Sequence, residues 1–202
     1  MEQHLRSHIH RKSAPQLLSK GWRLLERGQL DKAAAASRAV LTAQPGHADA
    51  TYLIGVVRLR QGRVSEARDH IAAALRLQPS NAGAHLTYGN VLVRMGQLKE
   101  AMASYDRAIS LKPDLVEAYI KRGNALLDLG HCEDALTSYD TALALRPTSL
   151  EALYNRGNAL NAAKRYEEGL AAYDQVILLA PENAQAHNAR GQALTLLRLS
   201  LI

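Results

Sequence analysis

The side chains whose spacing suggests chemistry are amides. Asn90, Asn124 and Asn158 stand 34 residues apart, Gln192 continues the series, and Trp22 and Val56 occupy the same register nearer the N-terminus. An amide donates and accepts hydrogen bonds but carries no acidic proton, so such a series suits recognition rather than bond breaking. The histidines offer less. His4 and His8 are four residues apart and, with His10, could share a metal, but Met1–Lys12 is polar, basic and without an apolar run, which reads as a frayed tail and not a secretory signal. His85 and His187 fall where a helix carries a large residue, so a core role is expected of both. Asp106, Asp140 and Asp174 recur behind a tyrosine once per period, which makes them part of a repeating unit, either at its surface or in hydrogen bonds between repeats, and not an acid–base pair. The single cysteine, Cys132, excludes an internal disulfide and takes a packing slot as a small apolar filler. No phosphate loop, zinc spacing or Ser/His/Asp arrangement occurs. The expectation is a chain that is not an enzyme and needs neither cofactor nor metal.

The elements that position these residues repeat. Prolines stand at Pro45, Pro79, Pro113, Pro147 and Pro181, and glycines at Gly21, Gly55, Gly89, Gly123, Gly157 and Gly191, each series in steps of 34. One unit, Val116–Ser149, reads as two helices, Val116–Leu129 and about Cys132–Leu145, broken at Gly130 and stopped at Pro147. Tyr119, Gly123, Leu126 and Leu127 form the buried stripe of the first helix, and Ala135, Tyr139, Ala142 and Leu143 that of the second. Two helices cannot bury both stripes alone, so the unit needs neighbours. Gly28, Gly62, Gly96 and Gly130 end the first helix of each unit, where a left-handed residue is expected. Ser13, with Pro15 behind it, opens the first helix. Ser80, Asp114 and Thr148 are expected as later caps, the last two forming capping boxes with Glu117 and Glu151. Two departures, Lys164 for the turn glycine and Gly169 for a packing alanine, mark the fifth unit as the softest.

This pattern of Tyr119, Gly123, Leu126, Ala135, Tyr139, Ala142 and Pro147 resembles the tetratricopeptide repeat family, with Arg122 in place of a leucine. The resemblance implies an all-α fold, a right-handed α–α superhelix of helix-turn-helix repeats. It assigns 1–13 to a disordered basic tail and 14–202 to the array, with repeats at 14–47, 48–81, 82–115, 116–149 and 150–183 and a partial one at 184–202. It also places Trp22, Tyr52, Val56, Asn90, Asn124, Tyr154, Asn155, Asn158 and Gln192 on a concave face that binds peptides, apolar at one end and amide-lined at the other. The carboxylate clamp of some members is not expected. Asn124 and Asn155 match two of its asparagines, but Ile120, Gln185 and Ala189 stand where it needs basic residues. The wording RGNAL at Arg122–Leu126 and Arg156–Leu160 is similar to the arrays of O-linked N-acetylglucosamine transferases and SPINDLY-like proteins. In those arrays concave asparagines hold the backbone of an extended substrate, so a recruiting segment of a larger glycosyltransferase is the alternative reading.

The net charge of +6 is uneven, +7 over residues 1–81 and −4 over 116–183. The basic residues neither cluster nor accompany an aromatic platform, which argues against nucleic acid. The C-terminal ALTLLRLSLI is apolar but too short to span a membrane. Leu196, Leu197, Leu199 and Leu201 could instead join two copies, a third reading. The expected partner is a protein or peptide, in a cytoplasmic setting, with neither nucleic acid nor membrane.

Overall fold

The computed structural model describes residues 13–200, so the N-terminal tail with its three histidines, and Leu201, lie outside the described residues. Eleven helices and no strand occur among the described residues. They are α1 Ala14–Glu26, α2 Leu30–Ala43, α3 Ala48–Arg60, α4 Val64–Leu77, α5 Ala82–Arg94, α6 Leu98–Leu111, α7 Val116–Asp128, α8 Cys132–Leu145, α9 Leu150–Ala162, α10 Tyr166–Leu179 and α11 Ala184–Ser200. Their contacts form two compact units, the division falling between Val91 and Leu92 inside α5.

Each hinge between paired helices closes by the same chemistry. After α1, the Gln29 N–H bonds the Leu24 carbonyl at 2.9 Å and the Gly28 N–H that of Leu25 at 3.0 Å, a turn that needs φ positive at the residue between. Gly28, Gly62, Gly96 and Gly130 supply it with φ between +70 and +81°. In the fifth unit the same turn closes on Lys164 at φ +61°, with Arg165 N–H to Leu160 at 2.8 Å. A Cβ in that region is strained by about 1 kcal/mol. Replacing Lys164 by glycine is therefore expected to stabilise the protein by about that amount, read as a higher denaturant midpoint.

The caps differ from expectation. Each proline is the second residue of a four-residue turn closed by the fourth residue's N–H, as in His47 to Gln44 at 3.1 Å and Ser149 to Arg146 at 3.1 Å. That turn carries the chain past Ser80, Asp114 and Thr148 before the helix starts. The residue after each of them is the cap: Asn81 accepts from Ala84 N–H at 2.9 Å, and Ser149 from Ala152 N–H at 3.4 Å. Leu115 stands there before α7 and has no oxygen to offer, so neither capping box forms. Ser13 does open α1, its N–H bonded to Gln16 Oε1 at 3.1 Å.

In the N-terminal unit α1–α2, α2–α3 and α3–α4 pack in order and α1 also touches α3. Leu18, Leu25, Ala33, Val40, Leu53 and Val57 form the core, with Trp22 and Val56 half-buried against it. Ser37 leaves room where later repeats put a tyrosine. Leu53 of the next repeat fills it, its Cδ2 at 2.6 Å from where a Cβ on Gly21 would stand. In the C-terminal unit α6 to α11 pack in order, and α7–α9 and α9–α11 add contacts between first helices. There Tyr139 lies across Gly123 and Tyr173 across Gly157, both rings almost wholly buried.

Candidate functional site

Two clusters fall on the expected positions, one in each unit. In the N-terminal unit Trp22 and Tyr52 meet with ring centroids 5.6 Å apart and planes tilted by 53°. The Tyr52 hydroxyl lies 2.7 Å from Thr87 Oγ1 and 3.1 Å from the Gly83 carbonyl, tying α3 to α5. With Val56 the two rings make an apolar, half-buried patch. Asn90, on α5, is half-buried in the same unit.

The C-terminal unit carries the amides. Asn124 on α7 uses its Oδ1 twice, accepting the Tyr139 hydroxyl at 2.7 Å and Asn155 Nδ2 of α9 at 3.0 Å. Asn158, one turn further along α9, accepts the Tyr173 hydroxyl at 2.8 Å. Tyr173 in turn accepts from Asn161 Nδ2 at 3.2 Å, and its ring meets Tyr154 at 5.8 Å. Each asparagine is therefore anchored from beneath by a buried phenol. Burial, with a smaller contribution from Tyr154, pushes the Tyr173 hydroxyl up from 10.0 to about 12, so it stays a donor at neutral pH. Lys121 and Glu151 pair at 2.8 Å between the same two helices. Gln192 lies exposed on α11 and joins none of these bonds.

Profiles of the tetratricopeptide repeat match residues 18–82, 120–177 and 165–199, and a TPR repeat profile matches 89–130. The chain belongs to the tetratricopeptide repeat family. Among solved structures it is similar to YrrB, described as a TPR protein with an unusual peptide-binding site, at 26% identity and TM-score 0.74 over 89% of this chain and 92% of that one. PilF of Pseudomonas aeruginosa matches at 20% identity and TM-score 0.79, covering 92% and 91%. MamA matches at 20% and 0.72, covering 85% and 94%. A search of curated proteins finds no match.

Within the TPR unit the aspartates find their partners. Arg122 bonds Asp106 at 2.7 Å, Arg156 bonds Asp140 at 2.7 Å, and Arg190 bonds Asp174, each joining the second helix of one repeat to the first helix of the next. Arg122 also donates to Ser138 at 2.8 Å. The signal was present: arginines at 122, 156 and 190 share the period of the aspartates. Of the two roles open to the aspartates, surface or inter-repeat hydrogen bonding, the second is found, with arginine as the partner.

The histidines are corrected. His85 is half-buried and His187 exposed, and neither fills the core; their Nε2 atoms lie 2.9 and 2.8 Å from the carbonyls of Pro79 and Pro181. Tyr119 makes the same bond to Pro113 at 3.2 Å, so this slot fastens the proline turn. Cys132 is half-buried at the start of α8. At the C-terminal helix Leu196 and Leu199 are exposed and Leu197 half-buried. No described helix is long and apolar enough to cross a membrane.

Proposed function

We propose that this TPR chain is a non-catalytic scaffold that holds an extended segment of a partner protein across the first helices of its repeats. The observation that carries this reading is the bond from Asn155 to Asn124, which sets amides of α7 and α9 side by side with a buried tyrosine hydroxyl bonded beneath Asn124 and another beneath Asn158. Neutral amides held in this way recognise a peptide backbone without demanding particular side chains, which suits recruitment of a segment rather than chemistry on it. Taken by itself, the apolar Trp22–Tyr52 patch of the N-terminal unit suits a side-chain anchor, since aromatic residues dominate the energetics of such surfaces. The peptide-binding site ascribed to YrrB, at 26% identity, supports the same reading.

The test is affinity capture from extract with the wild-type chain and with Asn124→Asp/Asn158→Asp. Aspartate keeps the size of the side chain and an oxygen for each tyrosine. The proteins captured by the wild type should be lost with the double variant, while circular dichroism reports the same helix content. Equal recovery from both baits would end the reading.

A further inference from the structure

The two departures of the fifth repeat serve each other. At the position of Asn161 the other repeats carry Leu25, Leu59, Val93 and Leu127, and at the position of Gly169 they carry Ala33, Ala67, Ala101 and Ala135. A Cβ on Gly169 would collide with Asn161 Oδ1, so glycine here makes room for the asparagine to turn inward. Turned inward, Asn161 donates to Tyr173, and Tyr173 donates to Asn158 Oδ1. This sets the order of donors. With one lone pair of the phenol facing Asn161, its single proton goes to Asn158, which must meet it with oxygen. The Nδ2 group of Asn158 is then turned the other way. In the fourth repeat Tyr139 and Asn155 together hold Asn124 in the same sense, both giving protons to its Oδ1. Neither Nδ2 of Asn124 nor that of Asn158 has a hydrogen bond within the described residues, and neither is among the buried polar atoms, so both face water.

From this we propose that Tyr139 and Tyr173, the latter backed by the Asn161/Gly169 pair, are positioning residues that lock Asn124 and Asn158 as donors, so that the bound segment must present carbonyl oxygens at those two points. A surface asparagine can rotate its amide by half a turn and accept either partner at little loss. Here rotation of either asparagine alone would set Nδ2 where a phenol proton now points, so its partners would have to reverse with it. The face is thus selective for acceptors, although amides carry both functions. The proposal rests on the groove reading above and adds the polarity of what is bound.

The experiment uses the full chain with side-chain amides of asparagine labelled for nuclear magnetic resonance. The probe is an oligoproline capped by acetyl and dimethylamide groups, which is extended, rich in carbonyls and has no backbone N–H. It should shift the side-chain NH2 signals of Asn124 and Asn158. In Tyr173→Phe the ring still covers Gly157, and the Asn158 response should weaken about tenfold in apparent affinity while that of Asn124 stays; Tyr139→Phe should do the reverse. A purely structural role would lower thermal stability without separating the two responses. A second probe, a capped Gly-Ser peptide of the same length, distinguishes the failures. If it shifts the asparagine signals and oligoproline does not, or if the phenylalanine variants respond as the wild type, the polarity proposal is overturned and the groove stands. If neither probe moves any of these signals, the groove reading falls and takes the proposal with it.

Discussion

Alanine at Gly157 is expected to destabilise the protein by about 3 kcal/mol, and the same substitution at Gly191, one repeat later, to stabilise it slightly. The new methyl at 157 would sit 2.5 Å from Cε1 and 2.8 Å from Cζ of Tyr173, a ring that is 1% exposed and bonded through its hydroxyl to Asn158. Neither side can yield. The ring is fixed at both ends, and the glycine belongs to the backbone of α9. Overpacking of this kind costs about 1–3 kcal/mol and more where relaxation is blocked. Gly123 faces Tyr139 in the same way, at 2.6 Å, and should respond alike. Gly191 occupies the equivalent turn of α11, yet nothing lies within 4 Å of where its Cβ would be. There the only change is in helix propensity, a gain of about 0.5–1 kcal/mol. Melting temperatures of the three variants check this. A shift of the same sign in all three would show that the tyrosine contact is not what fixes the glycine.

A second large effect belongs to alkaline pH. Tyr105, Tyr139 and Tyr173 are each no more than 1% exposed. Burial raises all three hydroxyls, aided by Glu117 at Tyr105, by Asp128 and Glu151 at Tyr139, and by Tyr154 at Tyr173, which is pushed from 10.0 to about 12. The folded chain holds these protons more tightly than the unfolded one. Their contribution is therefore complete below pH 10 and is lost as pH rises above about 10, towards 12 for Tyr173 and beyond that for Tyr105 and Tyr139, at up to about 1.4 kcal/mol per pH unit for each tyrosine. Helical circular dichroism should hold to about pH 10 and then collapse together with the rise of tyrosinate absorbance from these three residues. Ionisation of the buried tyrosines with the helices intact would contradict it.

The repeat period was legible because prolines, glycines and tyrosines punctuate the chain at fixed intervals, and each is placed there by backbone or packing geometry that few other residues meet. Lys164 was legible too: the interval demanded a left-handed residue, and the turn keeps that conformation. What escaped depended on two residues at once. Asp114 and Thr148 have the chemistry of caps, but the proline turn fixes which residue comes first, and it is the next one. Gly169 alone reads as a missing methyl, and Asn161 alone as a polar residue in an apolar slot. Only together do they make a hydrogen-bonded insert, since a cavity and its occupant lie eight positions apart on different helices. Asn124 and Asn158 were found as amides by their interval. That they are anchored by Tyr139 and Tyr173 depends on how adjacent helices face one another, which no single helix encodes.

The arginine–aspartate pairs give the array a phase that differs from its sequence repeat. Counted by prolines, a module is a first helix followed by its own second helix, and Asp106–Arg122, Asp140–Arg156 and Asp174–Arg190 all straddle the joints. Counted from one glycine hinge to the next, the same pairs lie inside a module, α6 with α7, α8 with α9, and α10 with α11. For anyone cutting, duplicating or grafting this array, seams at the glycine hinges keep the ion pairs whole but part Tyr139 from Gly123 and Tyr173 from Gly157. A block excised from His131 to Lys164 carries its electrostatic stitch with it, whereas one excised at the prolines leaves an arginine and an aspartate to find new partners at its two ends.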